Sequence, residues 1–199
     1  MSLLKKKLKK KSGGDILDIA TDSGDFIKQL KDDFKDINKV IGIDITDKNF
    51  MEAREKFKDE PVEFIVMDGS ELKFENSTFD TVSICAGLHH LDDISGTLSE
   101  MKRVLKPGGI FILREMFRDV TNEKRLTDVR QHDWYAKIDR LRGKKHNPTL
   151  TKQQIINLVK SLRLKNIEMS ERTCDDCPRS IGETVEKEVA EMQEEHAKI

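Results

Sequence analysis

The chain has 199 residues, with 36 Lys plus Arg against 37 Asp plus Glu and a formal net charge of -1. That length suits one domain with its own core, and the balanced charge excludes the global basic excess of a typical nucleic-acid binder. Three cysteines exclude a disulfide scaffold and suit a reducing compartment. No apolar run approaches the ~18 residues of a membrane span, and no apolar core follows the N-terminal charges as in a signal peptide. A soluble, cytoplasmic protein is the expectation.

Residues 1–14 read as a basic flexible tail, Lys5-Lys6-Lys7-Leu8-Lys9-Lys10-Lys11 followed by Ser12-Gly13-Gly14. From Asp15 onward, short apolar runs alternate with amphipathic stretches. The runs are Ile16–Ala20, Val40–Ile45, Val62–Met67, Thr81–Ala86 and Ile110–Leu113. Each has strand length and Ile/Val richness, as a parallel sheet covered on both faces requires. Helical patterns lie between them over Phe26–Phe34, Phe50–Phe57 and a stripe of Ile94, Leu98, Met101 and Leu105. Lys106-Pro107-Gly108-Gly109 is expected to stop that helix and turn the chain into the fifth run. The alternation predicts an α/β fold with a doubly wound, mostly parallel sheet.

After Met116 the pattern turns helical. Asn122–Arg142 carries Leu126, Val129, Trp134, Ile138 and Leu141 at helical spacing. Thr151 with Gln154 forms a capping box before Ile155, Ile156, Val159 and Leu162. Ile167–Arg172 is a short strand candidate. Ser180 with Glu183 opens a last helix striped by Ile181, Val185, Val189 and Met192, which must cover the sheet or pair with a second copy as a homodimer.

Open α/β sheets bind ligands at the carboxyl ends of their strands, so the end of each run is informative. The first run ends in Asp18-Ile19-Ala20-Thr21-Asp22-Ser23-Gly24, a small-residue turn opening a helix. The second ends at Asp44, placed as a ribose-hydroxyl acceptor should be after a strand–turn–helix. The third ends in Met67-Asp68-Gly69. Three successive acid-tipped strands point to an adenosine site without phosphates. A dinucleotide loop needs glycines for close approach to a pyrophosphate, whereas Ala20 and Asp22 stand at the first two of those positions. Asp22 repels a pyrophosphate and tolerates a sulfonium. NAD is therefore disfavoured and S-adenosylmethionine preferred.

The segments Ile16–Gly24, Gly42-Ile43-Asp44, Met67-Asp68-Gly69, Phe74–Asp80, Gly87-Leu88-His89-His90-Leu91 and Arg103–Gly109 resemble, in order, the motifs of class I S-adenosylmethionine-dependent methyltransferases. The nearest resemblance is to the small-molecule branch that includes the ubiquinone and menaquinone biosynthesis enzymes. It spans Asp15 to about Met116 and implies a Rossmann-like cofactor-binding core over 15–116, with a cap, last strand and C-terminal helix over 117–199. It further implies that Asp18, Ala20, Asp22 and Gly24 cradle the methionine part of the cofactor. Asp44 with Ile45 would hold the ribose, Met67, Asp68 and Gly69 the adenine, and Cys85 and Ala86 would line the methyl. The chain departs from the family at Asp22 and Ala20, where an L side chain needs a left-handed backbone or crowds the ligand.

Other residues carry weaker signals. His89, His90, Glu115 and His132 are the candidates for acid–base work beside the cleft. Glu115 also neighbours Arg114 in an arrangement that suits structure as well as substrate binding. His132 and Asp139 share one face of a helix, for which a solvated face is favoured over a substrate lid. Cys174-Asp175-Asp176-Cys177 is a lone C-x-x-C, read as incidental thiols, and no metal-binding set is expected. The conclusion from sequence is an S-adenosylmethionine-dependent methyltransferase acting on a small-molecule acceptor. Two alternatives stay open: a non-catalytic cofactor-binding protein with a degraded loop, and an RNA methyltransferase using the lysine arm.

Overall fold

The computed structural model describes residues 3–121, 123–143 and 146–171. Its centre is a five-stranded sheet of β1 (Asp15–Ile19), β2 (Lys39–Asp44), β3 (Val62–Val66), β4 (Phe79–Cys85) and β5 (Leu105–Arg114), in the order β3-β2-β1-β4-β5. Every pairing is parallel. Helices α2 (Asp25–Asp33), α3 (Phe50–Lys56) and α4 (Ile94–Val104) make the crossovers, and α5 (Glu123–Leu141) and α6 (Lys152–Ser161) follow the sheet. The α/β doubly wound architecture expected from the alternating pattern is the one that forms.

Side-chain alternation along each strand explains why both faces are covered. Ile16, Val40 and Phe64 join Ile27, Leu30, Phe34 and Phe50 in one core. Leu17, Ile41, Ile43, Val82 and Ile84 join Leu98, Met101, Val104 and Leu162 in the other. A strand buried on both sides is apolar at consecutive positions, as at Ile16-Leu17 and Val40-Ile41. The polar Asp18, Thr81 and Ser83 buried among them are each hydrogen-bonded. The chain reverses winding between β1 and β4, and that switch point opens at the carboxyl edge of the sheet.

Three sequence expectations are corrected. The basic tail is not free: α1 (Leu3–Leu8) is helical, Leu8 is buried, and Lys5 pairs with the buried Asp33 at 2.9 Å. Backbone contacts from Lys35 N–H to Lys11 O and from Gly13 N–H to Asp36 O (2.9 and 2.8 Å) extend this docking along the next residues. One leucine with two backbone anchors is enough to seat a lysine-rich segment. Second, Lys106–Gly109 is not a turn ahead of the fifth strand. α4 ends at Val104 and β5 starts at once, pairing Phe79 with Leu105 and then slipping register until Thr81 meets Ile110, with Gly108 at φ +81° inside the excursion. Third, residues 167–171 of the strand candidate join no strand. Arg172 and the last helical stripe lie outside the described residues, as does the Cys174–Cys177 pair. The capping box of α6 forms as read: Thr151 Oγ1 accepts from Gln154 N–H (3.1 Å), and Gln154 Oε1 accepts from Thr151 N–H (2.8 Å).

Candidate functional site

The carboxyl edge of the sheet divides into an acidic half over β1–β3 and a histidine-lined half over β4–β5. The acidic half is built on a turn in which Ala20, Asp22 and Gly24 all hold left-handed φ values of 53°, 50° and 77°. Ala20 and Asp22 are the two positions where the sequence departs from glycine and a left-handed backbone is expected. Alanine and aspartate occupy them at a cost of about 1–2 kcal/mol each. Gly24 has a second constraint, since a Cβ there would lie 2.7 Å from the Phe57 ring.

Asp18 lies within β1, in register with Gly42 on one side and Ser83 on the other. Its carboxylate accepts from Ser83 Oγ (2.5 Å) and Thr21 Oγ1 (2.8 Å). Gly42 leaves the room Thr21 needs, because a Cβ at 42 would lie 2.8 Å from Thr21 Cγ2. Burial pushes the Asp18 carboxyl up to about 6, partly offset by the two hydroxyl donors and reinforced by the Asp44 charge. Asp18 therefore braces the turn from behind and does not project into the cleft.

Asp44 ends β2, and its two oxygens accept from Asp22 N–H (3.1 Å) and Thr46 N–H (3.3 Å). Asp22 is exposed, and its carboxylate takes a hydrogen bond from the Asn49 side chain. Ile45 is 65% exposed beside it. At the tip of β3, Asp68 is exposed; Ser70 donates both its N–H and its hydroxyl to Oδ1 (2.8 Å each). Those bonds hold the Asp68 carboxyl below its ordinary value, and both fall on Oδ1. Met67 is half-buried and Gly69 buried. Cys85 ends β4 half-buried, and Ala86 follows it exposed with φ 52°.

The other half gathers four of the five histidines in the chain. His89 and His90 sit on a single 3-10 turn after β4, and Glu115 follows β5 directly. Glu115 Oε2 accepts from Leu88 N–H (2.8 Å), while Oε1 accepts from Met116 N–H (2.8 Å) and faces His89 Nδ1 (3.2 Å). The side chains of His89 and Glu115 are 4% and 1% exposed. His132 comes from α5; its Nε2 lies 3.0 Å from His89 Nε2 and 3.2 Å from His146 Nε2. His146 Nδ1 meets Asp139 Oδ2 at 2.9 Å. Asn147 ties its own segment down, with its N–H on His89 O (2.8 Å) and its side chain on Leu91 O (3.0 Å). Burial and the neighbouring His89 and His146 rings push His132 down to about 4; His90, packed on the same rings with one edge exposed, is pushed down as well.

This half overturns the expectation of a solvated His132–Asp139 face. That face packs inward together with the buried Val129 and Ala136, while Trp134 (45%) and Leu141 (88%) of the expected apolar stripe are exposed. Arg114 turns away from Glu115 to donate to Gln29 (2.8 Å). His146 was not a candidate at all, and no local motif marks it. The i, i+7 pair His132 and Asp139 was the one available signal.

A parallel sheet of this order, with acids at the tips of β2 and β3 and a third acid bracing the turn after β1, defines the class I S-adenosylmethionine-dependent methyltransferase fold. Residues 17–113 match the family model described as a methyltransferase domain. The demethylmenaquinone methyltransferase of Staphylococcus saprophyticus is 32% identical over 117 residues, 58% of this chain and 50% of the relative. The ubiquinone/menaquinone biosynthesis C-methyltransferase UbiE of Idiomarina loihiensis is 34% identical over 113 residues, 55% of this chain and 45% of the relative. The chain thus spans about half the length of the curated relatives it matches. A solved structure of similar fold is a SAM-dependent methyltransferase from Aquifex aeolicus, with TM-score 0.58 and 18% identity, covering 84% of this chain and 81% of that one. No helix among the described residues is long and apolar enough to cross a membrane.

Proposed function

We propose that this chain transfers the methyl group of S-adenosylmethionine to a small-molecule acceptor. The observation that carries the reading is the acidic half of the edge, where the left-handed turn of Ala20, Asp22 and Gly24 lies beside the Asp44 and Asp68 tips. The donors present fit the cofactor. Asp44 keeps carboxylate lone pairs for a ribose diol, Asp68 Oδ2 suits the adenine amino group, and the turn brings backbone close to the methionine part. Cys85 and Ala86 line the methyl end. When bound, S-adenosylmethionine supplies a methyl on a sulfonium, a leaving group that is already activated.

Orientation of an acceptor against that methyl can supply much of the acceleration, so a strong base is not required. We assign 15–116 to cofactor binding and 117–199 to a cap that shapes the acceptor side, with the reaction in the cytoplasm. The alternative of a degraded loop loses support because Ala20 and Asp22 adopt the backbone a glycine would. An RNA-binding arm loses support because Lys5 and Lys7 are paired with Asp33 and Glu168. Calorimetry with S-adenosylmethionine, S-adenosylhomocysteine, NAD and ATP tests the proposal. The first two should bind and the last two should not; a folded chain that takes neither adenosyl ligand overturns it.

A further inference from the structure

The histidine-lined half brings three imidazole Nε2 atoms together, which is more lone pairs than one shared proton can serve. Carboxylates accept hydrogen bonds, so Glu115 and Asp139 draw the imidazole protons of His89 and His146 to Nδ1. Glu115 is firmly an acceptor, since its two oxygens already take the Leu88 and Met116 backbone N–H groups. Both histidines then present bare Nε2 lone pairs, and both lone pairs face His132 Nε2 at 3.0 and 3.2 Å. A proton on His132 Nε2 serves only one of them, and His132 Nδ1 has no hydrogen-bond partner among the described residues in either arrangement. A cation at the centre satisfies all three nitrogens at once.

We propose that His89, His132 and His146 bind one divalent first-row transition-metal ion, of which Zn2+ is the representative. One ring nitrogen of each lies within 4.8 Å of the others. The two short separations approach the about 3.4 Å expected between nitrogens at 2.0–2.1 Å from a tetrahedral zinc. Neutral imidazoles select zinc, cobalt, nickel or copper over magnesium and calcium, which prefer oxygen. Glu115 and Asp139 are the outer carboxylates that fix ring orientation and tautomer, as is usual for metal-bound histidine. Three protein donors leave a coordination position for a non-protein ligand. The site stands at the carboxyl ends of β4 and β5, on the side of the edge away from the acid tips. The metal proposal does not rest on the methyltransferase reading. Only one clause does: on that reading, the open position takes a heteroatom of the methyl acceptor.

The test is Co2+ titration of the full, metal-stripped chain, followed by visible absorption, with Zn2+ and Mg2+ thermal shifts beside it. One equivalent of Co2+ should bind with the intense bands of a four-coordinate ion, Zn2+ should raise the Tm, and Mg2+ should not. His132→Ala and His146→Ala should each weaken uptake by more than the about 10–100-fold typical of losing an outer partner. Asp139→Asn should fall within that outer-partner range and guards against a histidine variant that fails to fold. His90→Ala removes a stacked ring but none of the three nitrogens, and should keep one equivalent. Cys174→Ser with Cys177→Ser should also keep it. Azide should shift the cobalt bands. Absence of uptake, uptake insensitive to His132 and His146, or uptake lost with the cysteines overturns the site; bands blind to azide overturn the open position. Adenosyl-ligand calorimetry on the same samples reads the methyltransferase proposal separately.

Discussion

The two halves of the sheet edge are made in different ways. In the acidic half every working residue sits within a few positions of the strand that carries it: Asp18 and the turn after β1, Asp44 at the end of β2, Asp68 just past β3. In the histidine half the partners are 26, 43 and 14 residues apart, joining the β4 turn to β5, to α5 and to the segment after α5. A local device is repeated by short-range grammar, and a strand–turn–helix unit can be read wherever it occurs. A non-local device exists only once the chain has folded. The acidic half is accordingly a property of each strand–turn–helix unit, and the histidine half a property of how β4, β5 and α5 come together.

That contrast predicts where damage spreads. The largest effect should come from Glu115→Ala, which removes the common acceptor of Leu88 N–H, Met116 N–H and His89 at a nearly inaccessible position. Leaving buried donors unmet costs about 1–3 kcal/mol each, so a total near 4 kcal/mol is expected in urea unfolding. The loss should be shared by His132→Ala in a double-mutant cycle if the half acts as one unit. Additive losses would break the comparison.

Asp18 gives the acidic half its own signature. Its folded-state value of about 6 lies above the ordinary 3.8, so the folded chain holds the proton more tightly than the unfolded one. Stability from this group is fully present below pH 3.8 and is lost as pH rises to about 6. The buried charge therefore costs up to about 3 kcal/mol at neutral pH. Asp18→Asn keeps an acceptor for Thr21 or Ser83 and cannot ionise. The variant should be the more stable above pH 6 and should lack the decline between pH 4 and 6. Parallel pH profiles for the two proteins would show that Asp18 is not buried as a charge.

Next in size is Asp44→Ala. Loss of a charged acceptor for the ribose should weaken S-adenosylhomocysteine binding by roughly 1.5–3 kcal/mol, read by calorimetry with far-UV circular dichroism as a check on folding. His132→Ala should leave that affinity almost unchanged, because it lies in the other half. If both substitutions weaken the ligand alike, the two halves are one site and the division fails.

What the sequence allowed follows the same line. Four of the five strands were placed within two residues, because burial on both faces leaves an apolar run that periodicity can find, whereas β5 begins five residues before the run read for it. The acid tips were legible from spacing. Hidden were the features that depend on what a segment meets after folding. Leu8 is one apolar residue among six lysines, and its docking rests on the core it joins, on Asp33 and on the backbone of residues 35 and 36. Trp134 and Leu141 suggested the wrong face of α5, because the inward side of that helix carries His132 and Asp139 beside the buried Val129 and Ala136. His146 carries no motif, and its partners come from two other segments, α5 and the turn after β4.

The smallest expected effect is the sharpest test of the acidic half. Asp22 holds φ 50°, a left-handed conformation that glycine adopts freely. Asp22→Gly relieves strain of about 1 kcal/mol, but it also enlarges the unfolded ensemble by about 0.4–1 kcal/mol. The exposed contact to Asn49 adds little. These terms nearly cancel, so the free energy of unfolding should change by no more than about 0.5 kcal/mol. Binding separates two arrangements more clearly. The Asp22 N–H that donates to Asp44 survives the substitution, so the Asp44 carboxylate stays in place. The carboxylate is lost, and it is turned toward Asn49 and not held by the cofactor turn. S-adenosylhomocysteine affinity should therefore shift by about threefold or less, far below the Asp44→Ala effect, and the ratio of its dissociation constant to that of S-adenosylmethionine should barely move. A product affinity that rises by tenfold in the glycine variant would instead place the Asp22 charge against the cofactor carboxylate. The side chain would then have to leave Asn49 when ligand binds.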